Sequence, residues 1–260
     1  MHPDIPAHLP LLIGHRGASS EAPENTLASF RLAWAEGANG IEADFRLCGD
    51  GQIVCMHDDS TGRTAGVDLR VIDTPLNELR RLDVGSWKGP AWKGEGIPTL
   101  EEVLAALPDG TWFFIELKSG PEIIAPLAKI LVESKCSPDR IRLLSFSAPL
   151  IAELKRYLPE WQACWLSDYH HMVRANIWRP SRDKILNTLA RSNADGLASA
   201  ARAILDHDLV DELRRKSLEV HVWTVDSLTA ARRYRALGVD SIMTNRPGRL
   251  RRQLLDSTSP

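Results

Sequence analysis

LLIGHRGASSEAPENTLASF, residues 11–30, runs an apolar start into a histidine, an arginine and a glycine, and then into helical spacing. The opening LLIGH reads as a buried strand, while Leu27, Phe30 and Trp34 recur on one helix face and Pro23 suits a first turn. The stretch predicts a strand over 11–15, a turn carrying His15, Arg16 and Gly17, and a helix over Pro23–Glu36. Polar groups at such a strand end are placed to meet an anion.

The unit repeats along the chain. Candidate strands follow at 40–47, 111–118, 141–146, 162–167, 194–199, 218–225 and 241–245, separated by helical patterns at 100–107, 121–135, 149–158, 184–191, 207–216, 227–237 and 248–256. Eight strand–helix units in 260 residues favour an α/β fold closed as a (β/α)8 TIM barrel over an open sheet. Residues 48–99 break the rhythm, being rich in glycine and too long for a simple loop. They read as a small insert after the second strand, on the face where barrel enzymes place their chemistry, within a single domain spanning 1–260.

Composition excludes several classes. With 43% hydrophobic residues, 25% charged residues and a net charge of -2, the chain reads as an ordinary soluble globular protein with no polyanion-binding surface, so no nucleic-acid partner is expected. Cysteines 48, 55, 136 and 164 form neither a CxxC pair nor a dense disulfide framework, which favours a reducing compartment. MHPDIPAHLPLLIG lacks a basic leader, and its apolar run is too short to span a bilayer. The expectation is a cytoplasmic monomer or homodimer without membrane insertion.

Chemistry concentrates in three stretches. In GIEADFRL, alternation sends Ile41, Ala43, Phe45 and Leu47 to one face and Glu42, Asp44 and Arg46 to the other. The two carboxylates then lie about 7 Å apart along the strand, near enough to share one cation. RLCGDGQIVCMHDD signals a hairpin at Asp50-Gly51. Pairing Leu47 with Gln52 sets His57 opposite Glu42; a loop of Asp50-Gly51 alone sets it opposite Asp44. In FFIELK, Glu116 and Lys118 share a face at a strand end, where Glu116 could complete an oxygen-rich site suited to Mg²⁺ or Ca²⁺. In VHVWTVD, Trp223 shares a face with His221 and Val225; His221 reads as structural, and His170-His171 as an exposed loop pair.

HRG (15–17), PENT (23–26), GANGIEADFRLCGDGQIVCMHDD (37–59), GRTAG (62–66), IPTLEE (97–102), FFIELK (113–118), LLSF (143–146), VHVWTVD (220–226) and GVDSIMTNRP (238–247) together resemble the glycerophosphodiester phosphodiesterase family. The resemblance covers nearly the whole chain in order. It implies a metal-dependent barrel hydrolase that cuts glycerophosphodiesters into sn-glycerol 3-phosphate and an alcohol, with Mg²⁺, Ca²⁺ or Mn²⁺ as cofactor. By motif position, Glu42, Asp44 and Glu116 match the family's metal ligands, and His15 and His57 its acid/base pair. Arg16 and Lys118 match its phosphate contacts, Trp223 an aromatic group near substrate, and Asn25 the ENT motif beside the site. DSIMTNRP departs from the family's DGIITDxP, so Asn245 supplies no carboxylate and receives no role. HDDSTGRTAG differs from HDxTLxRTT, which puts any role for Arg63 in doubt.

A phosphodiester repels nucleophiles and has a poor alkoxide leaving group, so cleavage needs positive charge and a proton donor. Histidine, with a pKa near 6.5, can take either proton role at neutral pH, and the residues leave the two assignments open. Three further readings compete: a lysophospholipase D-like preference, a catalytically silent phosphodiester-binding barrel, and an aldolase using Lys118 as a Schiff base. The last leaves Glu42, Asp44 and the histidines unexplained. The glycines near His15 do not form GxGxxG, which disfavours a dinucleotide site.

Overall fold

A computed structural model of the chain describes residues 9–172 and 177–256. The N-terminal stretch read as lacking a leader therefore lies, through residue 8, outside the described residues. Strands run β1 (Leu11–His15), β2 (Gly40–Leu47), β3 (Ile53–Cys55), β4 (Trp112–Leu117), β5 (Ile141–Ser145), β6 (Gln162–Ser167), β7 (His170–Met172), β8 (Ile177–Arg179), β9 (Gly196–Ala200), β10 (Glu219–Trp223) and β11 (Ser241–Thr244). Helices are α1 (Leu27–Ala35), α2 (Gly62–Ala65), α3 (Leu76–Leu79), α4 (Leu100–Ala106), α5 (Ile124–Ser134), α6 (Ala148–Tyr157), α7 (Arg182–Ser192), α8 (His207–Arg215), α9 (Leu228–Leu237) and α10 (Pro247–Asp256).

Pairing runs β1-β11-β10-β9-β6-β5-β4-β2 and closes through β1–β2, all parallel, which makes the (β/α)8 barrel. β3 adds to β2 as an antiparallel strand, and β7 and β8 form a separate hairpin. His170 and His171 thus lie in a short strand and not a loop, though both side chains are exposed. Ile41, Ala43, Phe45 and Leu47 pack outward against the helices, with Phe45 edge-on to Phe113 at 5.9 Å. Inside, Ile13, Phe114, Leu144, Cys164, Leu166, Ala198 and Met243 form an apolar plug across the barrel. No described helix is long and apolar enough to cross a membrane.

Two local departures from the sequence reading have clear causes. α1 begins at Leu27 and not at Pro23, because Thr26 caps it through its hydroxyl and Asn25 adopts a left-handed φ of 58° that no helix interior accepts. The β2–β3 hairpin takes a register between the two foreseen, with Phe45 opposite Cys55 and Leu47 opposite Ile53. Cys48 N–H donates to Gln52 O across the loop, and Gly51 takes a φ of 79°, a glycine-dependent turn that adds one residue. The rest of the 48–99 segment carries its own apolar cluster of Val54, Met56, Val71, Leu79, Val84 and Ile97.

Candidate active site

The site is built by the parallel register. β1–β2 pairing sets His15 beside Glu42, and β2–β4 pairing sets Asp44 beside Glu116, so both β2 carboxylates lie level with the C-terminal ends of β1 and β4. After β1 the chain reverses at Arg16 (φ 55°) and Gly17 (φ 83°). A side chain at residue 17 would meet Ser29 Oγ at 2.4 Å, so only glycine lets the turn close against α1. The reversal aims the Arg16 backbone N–H at Glu42 Oε2, 3.0 Å away.

Carboxylate oxygens of Glu42, Asp44 and Glu116 lie within 4.8 Å of one another, and all three residues are buried. Arg16 Nε stands 3.1 Å from Asp44 Oδ2, and Lys118 Nζ stands 3.1 Å from Asp44 Oδ1 and contacts Glu116 Oε1. Among the described residues Glu42 Oε1 has no hydrogen-bond partner, and Asp44 Oδ1 and Glu116 Oε1 have only Lys118 within reach. Burial and the charges of Asp44 and Glu116 push the Glu42 carboxyl well above its ordinary range, and burial with Asp44 raises Glu116 to about 7. Burial would raise Asp44 too, but Lys118 and Arg16 outweigh it and hold that carboxyl well below the usual range. Three crowded oxygen donors with unused lone pairs fit a hard divalent cation.

His15 and His57 flank this trio across an open cleft of about 190 Å³. Its charged wall is His15, Arg16, Glu42, His57, Glu116 and Lys118; its apolar wall is Leu144, Phe146, Leu166, Trp223 and Met243. His15 Nε2 is 3.9 Å from Glu42 Oε2, and burial lowers its pKa to about 4. His57 is also lowered, by burial, against the opposing pull of Asp44. Trp223 is fixed by its indole N–H to Ala198 O at 3.0 Å and meets Phe146 edge-on at 5.6 Å. β10 ends at Trp223, so alternation does not extend to Val225, which joins the outer core instead. His221 sits lower in the barrel, bonded to Glu219 and Ser241.

Asn25, placed beside substrate by its motif, does not line the cleft. It lies behind Asp44, donating to Asp44 Oδ2 at 2.8 Å and accepting from Asp44 N–H at 3.2 Å. Lys118 is similarly committed: burial lowers its pKa, but Asp44 and Glu116 outweigh that and raise it, so the amine stays protonated and ill suited to Schiff-base chemistry.

Sequence reasoning missed a supporting tier. Arg46 donates to His57 O at 2.7 and 3.1 Å and pins that backbone. His57 Nδ1 is 2.7 Å from Asp58 Oδ1, Asp58 Oδ2 accepts from Arg63 Nε at 2.5 Å, and Arg63 forks onto both oxygens of Glu24, which also binds Arg16. Arg63, doubtful from its motif, thus ties the His57 segment to the Arg16 turn. Asn245, assigned no role, contacts His15 Nδ1 at 2.7 Å. The sequence offered partial signals only: alternation put Arg46 on the face of Glu42 and Asp44, Asp58 adjoins His57, and Arg63 and Asn245 fall in motif stretches.

A closed parallel barrel carries an acidic trio, two flanking histidines and two cations at its C-terminal mouth, the class of scaffold on which barrel enzymes place their chemistry. A sequence profile of the glycerophosphoryl diester phosphodiesterase family matches residues 15–249. The chain belongs to that family and is a phosphodiesterase, a hydrolase of phosphoric diesters. A putative glycerophosphodiester phosphodiesterase of Bacillus subtilis is 34% identical over 245 residues, covering 91% of this chain and 94% of the relative. A glycerophosphodiester phosphodiesterase of Caldanaerobacter subterraneus is 32% identical over 247 residues, with 91% and 94% covered. Among solved structures, an Oleispira antarctica phosphodiesterase in complex with the product sn-glycerol-3-phosphate superposes with a TM-score of 0.83 at 29% identity, covering 95% of this chain and 97% of that one.

Proposed function

We propose that this enzyme hydrolyses glycerophosphodiesters to sn-glycerol 3-phosphate and a free alcohol, with a divalent cation held by Glu42, Asp44 and Glu116. The observation that carries the reading is the convergence of three buried carboxylates whose oxygens lie within 4.8 Å of one another, with Glu42 Oε1 lacking any partner among the described residues and Asp44 Oδ1 and Glu116 Oε1 sharing the single ammonium of Lys118. An oxygen left unsatisfied in a buried site costs about 1–3 kcal/mol, and more when charged, so Glu42 Oε1 beside two carboxylates that share one ammonium calls for a further cation. A bound cation supplies Lewis-acid polarisation of the phosphoryl oxygens and offsets their building charge.

The chain's own residues supply the rest. Arg16 and Lys118 neutralise Asp44 and present positive charge to the phosphate; the planar guanidinium can meet two phosphate oxygens at once. His15 and His57 divide the proton work, one accepting from the nucleophile and one donating to the departing oxygen. Trp223 and Phe146 give the glycerol carbons an apolar wall and exclude water from one side.

The product held by the Oleispira relative supports glycerol 3-phosphate as the released phosphate ester. The test is a panel of glycerophosphodiesters with and without EDTA, with Mg²⁺, Ca²⁺ or Mn²⁺ restored, scored by glycerol 3-phosphate release. Release abolished by EDTA and restored by a divalent ion is the expected result. Full turnover in EDTA would remove the metal assignment. Choline release from lysophosphatidylcholine in preference to the panel would shift the substrate to lysophospholipids, and ligand binding without turnover under any ion would make the barrel a silent binder.

A further inference from the structure

Two residues outside the cleft wall set the hydrogen-bond polarity at His15. Asp226, beyond β10, accepts from Asn245 Nδ2 at 2.7 Å, from Asn245 N–H at 2.8 Å and from Thr244 Oγ1 at 2.9 Å. A carboxylate only accepts, so the NH₂ of the Asn245 amide must face Asp226. Its oxygen then faces the other way, where it accepts from Ser19 Oγ at 2.9 Å and lies 2.7 Å from His15 Nδ1. An amide oxygen also only accepts, so His15 Nδ1 must carry a proton. In the neutral imidazole that is the ring's one proton, and Nε2 is left with its lone pair, on the Glu42 side of the cleft.

We propose that Asp226 and Asn245 are positioning residues that lock His15 in the Nδ1–H tautomer, making Nε2 the atom that exchanges protons with the reacting groups. The inference rests on the reading of His15 as one of the acid/base pair. Asp226 acts at one remove, by orienting an amide. The single Ser19 hydroxyl proton is shared between the amide oxygen and His15 O, the latter at 2.7 Å, while Lys88 from the 48–99 segment ties down Ser19 O at 2.7 Å.

Asp226→Asn tests the polarity with one isosteric change. The new amide keeps an oxygen for Thr244 Oγ1 and Asn245 N–H but turns an NH₂ toward the Asn245 side chain. That side chain must flip, present its own NH₂ to His15 Nδ1 and drive the ring proton to Nε2. The expected result is a fall in kcat of roughly 10²-fold or more with KM within about twofold, as when a catalytic histidine is held in the wrong tautomer. The exchanged pair D226N/N245D restores donor and acceptor order, because a carboxylate at 245 again accepts from Nδ1–H, and it should recover most of the lost turnover. ¹⁵N NMR of histidine-labelled, metal-free protein reads the tautomer directly: Nδ1–H in the parent and in the exchanged pair, Nε2–H in D226N. An Nε2–H tautomer in the parent overturns the proposal even if the variants fail to fold. So does unchanged kcat in D226N, or failure of the exchanged pair to recover. Normal turnover in His15→Ala would instead defeat the acid/base reading, while the NMR result would still decide the tautomer lock.

Discussion

The barrel interior buries charge at both ends, and the two ends are finished differently. At the N-terminal end, Glu219 receives Arg142 through both oxygens at 2.6 and 2.7 Å, and His221 bridges Glu219 and Ser241. The Arg142 guanidinium also donates to Asp139 O and Ile141 O and stacks over Trp112 at 4.7 Å. At the C-terminal end, three carboxylates meet two cations, Glu42 Oε1 has no partner among the described residues, and Asp44 Oδ1 and Glu116 Oε1 share one ammonium. Cys164, Glu219 and His221 also bring potential ligand atoms within 4.8 Å of one another. Arg142 already uses the Glu219 carboxylate, however, and burial raises the Cys164 thiol well above its ordinary range, away from the thiolate a metal needs. Proximity of ligand atoms is therefore a weak guide to a site. Unspent hydrogen-bonding capacity is the stronger one.

The largest expected effect separates chemistry from folding. His15→Ala and His57→Ala should each lower turnover by roughly 10²- to 10⁴-fold with circular dichroism unchanged, the usual size for lost acid or base catalysis. Near-normal turnover in both would remove the functional end of the contrast.

Next in size, Arg142→Met should destabilise the protein by about 3 kcal/mol, because it strands Glu219, with the 31% exposure of that side chain keeping the loss at the low end for a broken buried pair. Urea unfolding measures it, and the metal concentration for half-maximal rate should not move. Glu42→Gln should do the reverse. It relieves repulsion from Asp44 and Glu116, so stability should hold or rise by about 1 kcal/mol, while that metal concentration increases. An unchanged metal titration in Glu42→Gln would strike that residue from the ligand set.

The smallest effect is a slope with pH. Burial alone would raise the Glu219 pKa, but His221 and Arg142 outweigh it and pull it from 4.5 to about 2. A folded pKa below the unfolded one gives stability that is present above about pH 4.5 and lost as pH falls toward 2. Arg142→Met removes part of that depression, so its stability should fall less steeply across this window. Equal slopes in the two proteins would show that the ion pair does not set the acid limit.

Much of this arrangement is local enough to read from one dimension. Alternation in GIEADFRL sorts Ile41 and Phe45 from Glu42 and Asp44, because side-chain direction in a strand has a period of two whatever the neighbours are. The hairpin register escaped because it depends on Gly51 taking a left-handed φ, a choice open to any glycine and made here by the loop. Asn25 escaped because a motif position does not say which way an amide points.

By itself, then, the sequence determined the βα alternation, the closed barrel and the strand ends bearing histidine, carboxylate and lysine, since each follows from short-range periodicity and composition. Only the tertiary structure decided which oxygens go unbonded, that Asn245 and not a carboxylate meets His15, and that Arg63 joins Glu24 to Asp58. Those contacts join residues 39 and 230 positions apart in the chain, and their hydrogen-bond geometry exists only once the barrel has closed.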